Sequence, residues 1–202
     1  MRRHEVKPEQ IQELLLQALE TERGGIKVYT AAVSVAINDD LKEEWSKYLD
    51  ETKRHEQILT TVCNALDIDP ETASPGRAIV AHHGKGLVEA IELAKRGGDP
   101  AAAQIVAAEC VVLAETKDHQ NWELIGQIVE HGSPELAKVL KPAFEEVEKQ
   151  EDHHYYHTKG WTRELWIESL GLPAVLPPPE EVKKVETAIG ASRAEQSREK
   201  ML

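Results

Sequence analysis

Aromatic side chains, cysteines, long apolar runs and surplus basic charge are all scarce or missing in this chain, and each absence narrows what it can be. Only 4% of the 202 residues are aromatic, with a single phenylalanine, so the core must be built mostly from Leu, Ile, Val and Ala. The two cysteines, Cys63 and Cys110, lack the CxxC spacing that a zinc ribbon or a rubredoxin-type iron site needs. Both read as small buried apolar side chains with reduced thiols, and a cytoplasmic location is the simplest expectation. No run approaches the ~18 to 20 apolar residues that cross a bilayer, and the amphipathic N-terminus lacks the apolar segment of a signal peptide, so no membrane partner is expected. With 36 acidic against 24 basic residues the formal net charge is −12, and no clustered basic face for nucleic-acid phosphates is present.

What the chain does have is long stretches of Ala, Leu, Glu and Lys, the strong helix formers, with apolar residues every three to four positions. An all-α protein is expected. Pro8 opens a first helix to about residue 37, and Asp40 is read as the cap of a second from Leu41 to Leu66. Pro70, Pro75, Gly76 and Gly84 mark residues 67–85 as a long connection, followed by a short helix over 86–95. A third long helix covers residues 100–130. The fourth is capped by Ser133, opened by Pro134, kinked or delayed by Pro142, and carried through His157. The layout is hairpin, long crossover, hairpin, the connectivity of a four-helix bundle. Residues 1–170 are assigned to the bundle and 171–202 to a charged C-terminal extension.

Four apolar stripes are each interrupted near their middle by a Glu, a His or both: Glu22, Glu51 with His55, Glu115 with His119, and Glu151 with His154. In antiparallel neighbours these positions fall at one height. Burying even a neutral unpaired polar group costs roughly 2 to 7 kcal/mol, and an ionised one more. A pair of divalent cations compensates four carboxylates. Carboxylate oxygens suit hard divalent metals, and imidazole adds affinity for iron, manganese or zinc. A Glu-rich site with one His per metal therefore points to iron or manganese.

The helical template for two such ions takes one Glu from each of two helices and a Glu-x-x-His from each of the others. Glu151-Asp-His-His154 has that spacing, and Glu22 and Glu115 supply the single carboxylates. The second helix departs from it: Thr52 stands three before His55, and the carboxylate, Glu51, stands four before. Positions four and three before the His lie about 40° and 60° to either side of it, so Glu51 shares its face. His119, one turn after Glu115, is read as a ligand, a partner of a ligand or a proton donor. Glu51-Thr-Lys-Arg-His55 echoes Glu115-Thr-Lys-Asp-His119, and Glu22 and Glu115 are each followed seven residues later by an aromatic, Tyr29 and Trp122. Glu20, His82, His83, His153 and His157 are weaker candidates.

On these residues the chain resembles the ferritin-like superfamily of di-iron and di-manganese carboxylate proteins, over residues 8 to 157. The resemblance implies a bundle with a long crossover between its second and third helices, two iron ions or manganese, and oxidoreductase chemistry on dioxygen or peroxide with an unidentified electron donor. The chain has no rubredoxin segment of a self-contained rubrerythrin, and a homodimer is compatible with the reading. Two alternatives stand beside it: iron storage or metal handling in an oligomeric shell, and a metal-free helical binding module held by buried ion pairs.

Overall fold

The computed structural model describes residues 6–179, and these form five helices and no strand: α1 (Pro8–Val33), α2 (Asp39–Ala65), α3 (Pro75–Arg96), α4 (Pro100–His131) and α5 (Pro134–Ser169). No described helix is long and apolar enough to cross a membrane. The pairings Tyr29 with Tyr48 and Arg23 with Glu56 run in opposite senses along α1 and α2, which are therefore antiparallel. The same test makes α1 antiparallel to α4 (Tyr29 to Glu115, Glu22 to Trp122) and α2 antiparallel to α5 (Arg54 to Glu146, Glu44 to Trp161). The helices α4 and α5, joined by a two-residue turn, pair through His119 with Asp152 and Trp166 with Glu109. Four long helices thus close a ring.

The crossover is helical over most of its length, which corrects the expected long connection. Ser74 accepts a hydrogen bond from the Arg77 amide and Pro75 occupies the first turn, so the proline read as a breaker is a helix start. Gly84, also read as a break, lets α3 lie close on α1: a Cβ placed on it would stand 3.4 Å from the Gly24 Cα. Pairings of Glu20 with Arg77 and Ser34 with Lys95 show α3 running parallel to α1 along the outside of the ring.

Other boundaries shift for local reasons. The first helix ends at Val33, four residues early, because the Gln104 side chain takes the Ile37 and Asn38 amides and holds the turn. Asn38, not Asp40, caps α2, accepting from the Leu41 amide at 3.0 Å. Asn38→Ala is expected to cost about 1 kcal/mol and lower Tm by roughly 2 to 4 °C in a circular-dichroism melt. Asp40→Ala, which breaks no cap, is expected to leave Tm unchanged. The last helix passes through Pro142 and runs twelve residues beyond His157, taking in Trp161 and Leu165, both buried. Residues 171–179, assigned to an extension, lie back on the ring: the Val175 amide donates to Glu164, the Pro178 carbonyl meets His157 Nε2 at 3.2 Å, and Leu176 packs on the core. The remainder of that extension, 180–202, lies outside the described residues.

The core is divided. One apolar cluster gathers Tyr29, Leu41, Trp45, Ile91, Val111 and Trp161, the other Leu15, Leu19, Leu59, Trp122, Ile125 and Leu140. Each of these fully buried side chains contributes about 1.5 to 3 kcal/mol by leaving water. Between the two clusters lies a polar layer.

Candidate metal centre

Glu22 of α1, His55 of α2, Glu115 and Asp118 of α4, and Glu151 and His154 of α5 meet in that layer, all buried. Five of the six, all but Asp118, form two groups. Ligand atoms of Glu22, His55 and Glu151 lie within 4.8 Å of one another, and so do those of Glu115, Glu151 and His154, with Glu151 common to both. The Nδ1 of His55 is 2.9 Å from Glu151 Oε1 and 3.7 Å from Glu22 Oε1. On the other side His154 Nδ1 is 3.5 Å from Glu151 Oε1 and 3.9 Å from Glu115 Oε2.

In Glu22, Glu115 and the two histidines the inward atom is balanced by an outer one that is held. Tyr29 Oη donates to Glu115 Oε1 at 2.7 Å, and Trp122 Nε1 donates to Glu22 Oε1 at 3.0 Å. The aromatic seven residues after one glutamate thus serves the glutamate of the other helix, which explains the repeat seen in the sequence. His55 Nε2 meets Gln150 Oε1 at 2.7 Å and His154 Nε2 meets Glu51 Oε2 at 2.8 Å. Both outer atoms are acceptors, so each Nε2 carries a proton, and loss of the inner proton leaves each ring with a bare Nδ1 turned inward. That is the arrangement of metal-ligating histidines.

Inside, the polar atoms face only one another, the shortest approach being His55 Nδ1 to Glu151 Oε1 at 2.9 Å. Glu22 Oε2, His55 Nδ1, Glu115 Oε2, Asp118 Oδ1, both oxygens of Glu151 and His154 Nδ1 are buried without a hydrogen-bond partner; only two other buried side-chain atoms among the described residues share that state. Such groups are rare in native interiors and call for an explanation. Without a cation the layer neutralises itself with protons. Burial pushes Glu115 up to about 8, with the Glu151 charge adding to it. Burial likewise raises Glu22 and Asp118 well above the ordinary carboxylate range, assisted by the charges around each. For Glu151 burial acts the same way, but the two imidazoles beside it win and hold it below that range. Desolvation works against a charged His154, yet Glu151 and Glu51 raise it to about 10.

Two of the expected ligands, Glu51 and His119, take other places. Glu51 does not stand in for a carboxylate three before His55; it lies half-buried outside the cluster, orienting His154 and facing Lys47. Position 52 is filled by Thr52, whose hydroxyl turns back to the Tyr48 carbonyl and whose methyl would lie 3.2 Å from a Cβ on Gly25. His119 points away, with Nε2 2.8 Å from Asp152. The stripe on α4 runs through Val111, Glu115, Asp118, Trp122 and Ile125, which puts Asp118 one residue before the expected His119. Asp118 was missed, although Glu115-Thr-Lys-Asp118 has the same three-residue step as Glu151 to His154. Among the weaker candidates, His157 is buried against Glu44 at 2.8 Å, and His82 and His83 are exposed on α3.

No known protein family, curated protein or solved structure matched this chain.

Proposed function

We propose that this chain is a ferritin-like dimetal carboxylate protein, holding two iron or manganese ions and acting as an oxidoreductase on dioxygen or peroxide. The observation that carries the reading is the set of buried, unpartnered donor atoms on four helices. The donors fit the ions in number and charge: four carboxylates with two neutral imidazoles match two divalent cations, whereas two imidazolium ions would leave two negative charges unbalanced. Glu22 and His55 would hold one ion and Glu115 and His154 the other, with Glu151 common to both groups and Asp118 close to the carboxylates of Glu22 and Glu115. When bound, such ions supply the electrons for reduction of dioxygen or peroxide.

The protein's own part is positioning and exclusion. The apolar clusters above and below keep water from the layer, which strengthens every charge interaction within it. The Tyr29 phenol, raised by burial and the adjacent Glu115 charge, stays protonated and keeps donating to Glu115. Burial raises Glu51 but its His154 hydrogen bond lowers it further, so it remains an anion at the solvent edge, fixing the ring. Iron storage in an oligomeric shell would use the same ligands, and size in solution separates the two.

Elemental analysis of protein purified without chelator tests the reading: two iron or manganese ions per chain are expected, and a metal-free protein that takes up neither on reconstitution would defeat it. His154→Ala is expected to lose at least one ion per chain. His119→Ala is expected to keep both, and its losing one would return His119 to the ligand set.

A further inference from the structure

The ring is not fully closed by its crossover. Between α1, α3 and α4 lies a cleft of about 470 Å³, open to solvent on one side and mostly apolar, walled by Val28, Val80, Leu87 and Leu113. That size is in the range of small-molecule sites, roughly 300 to 1,000 Å³. It sits on the outer face of the same helix walls that carry the polar layer. Thr21, Ala114 and Lys117 line the cleft, while their sequence neighbours Glu22, Glu115 and Asp118 line the centre. Leu113 is 61% exposed at its rim, an apolar side chain left without cover.

One end carries a fixed cation. Lys117 donates to Asn121 Oδ1, so its ammonium is held by an amide, not by a carboxylate. Asn121 is fully buried and in turn donates to Thr21 Oγ1 at 3.0 Å, and that hydroxyl donates to the Gln17 carbonyl at 2.8 Å. The lysine is therefore pre-positioned by a buried polar chain. The acid at that end, Glu20, is committed to Arg77 at 2.9 Å. Lys117 also borders the next groove along α1 and α4, which places it at the end of the cleft and not in its middle.

We propose that this cleft binds a small amphipathic monocarboxylate, its apolar body between α3 and the α1–α4 pair and its carboxylate on Lys117. Lys117 at the end of a mostly apolar channel, whose lining also includes the basic side chains His82 and His83 but no acid other than the Arg77-paired Glu20, is complementary to one negative charge on a hydrocarbon. The proposal does not depend on the metal reading, since no ligand of the centre takes part.

The test is calorimetric titration of the full-length protein, metal-free and metal-loaded, with octanoate and with octanol, which has the same tail and no charge. Octanoate is expected to bind at least about tenfold more tightly, the value of a charge-assisted contact. Lys117→Met keeps the length and should equalise the two ligands. Gly86 lines the cleft and a Cβ on it meets nothing within 4 Å, so the backbone accommodates Gly86→Phe, and a phenyl ring there should weaken binding of both. Methyl NMR of the parent protein gives a readout that needs no variant, with octanoate shifting Leu87 and Leu113 signals. Equal affinity for the two ligands, undiminished binding by folded Gly86→Phe, or no saturation by octanoate at millimolar concentration would each overturn the proposal.

Discussion

Stripping metal from the loaded protein with a chelator is expected to lower its Tm by roughly 8 to 16 °C at neutral pH. A ligand that binds only the native state stabilises it by RT ln(1 + [L]/Kd), about 4 kcal/mol at a thousand times Kd, and each kcal/mol moves Tm by roughly 2 to 4 °C in a chain of this size. The unpaired atoms of the polar layer supply the physical cause, because the cation gives each of them its missing partner. The double replacement Glu22→Gln and Glu115→Gln keeps side-chain volume while removing two of the four charges. It should bind neither ion stoichiometrically, keep its helical content, and melt at the same temperature with and without chelator. If that variant still held two ions per chain, Glu22 and Glu115 would not be ligands.

Periodicity made the helices legible because each buries one face, and it made Glu22, His55, Glu115, Glu151 and His154 visible as interruptions of that face. It was weaker where two faces are buried. Helix α4 touches α1, α5 and α3 at once, so apolar residues surround most of it and the stripe can be drawn one residue off. That slip exchanged Asp118 for His119. Helix α3 was hidden for a different reason: its glycines and proline are breakers by propensity, but a cap at Ser74 and the close approach at Gly84 turn them into a start and a packing surface. Glu51 was placed on the correct face, yet its reach ends at the far nitrogen of His154, a distinction that depends on how α2 sits against α5 and that spacing along one helix does not contain.

Acidity should have opposite effects on the metal-free and loaded forms. In the metal-free protein Glu115 is raised from 4.5 to about 8, and Glu22 and Asp118 are raised too, all chiefly by burial. A carboxyl raised by folding binds more protons native than unfolded between those limits, so stability falls as pH rises through the window. His154, raised to about 10 by Glu151 and Glu51 against its burial, acts in the same direction: its contribution is complete below 6.5 and is lost as pH climbs toward 10. Only Glu151, lowered by its two imidazoles against its burial, works the other way, and its contribution is lost below about 4.5. Tm of the metal-free protein is therefore expected to peak in mildly acidic solution and to fall between about pH 6 and 8. Metal needs these groups deprotonated, so loading should release protons, up to about four for two ions, and the gain in Tm on loading should grow over the same interval. Thermal melts of both forms across pH, with proton release followed by an indicator dye in weak buffer, check the argument. A metal-free Tm that rises over that interval, or metal uptake without proton release, would show that the layer does not hold those protons. The variant carrying Glu22→Gln and Glu115→Gln should have the flatter metal-free profile, because two of the groups that drive the slope are gone.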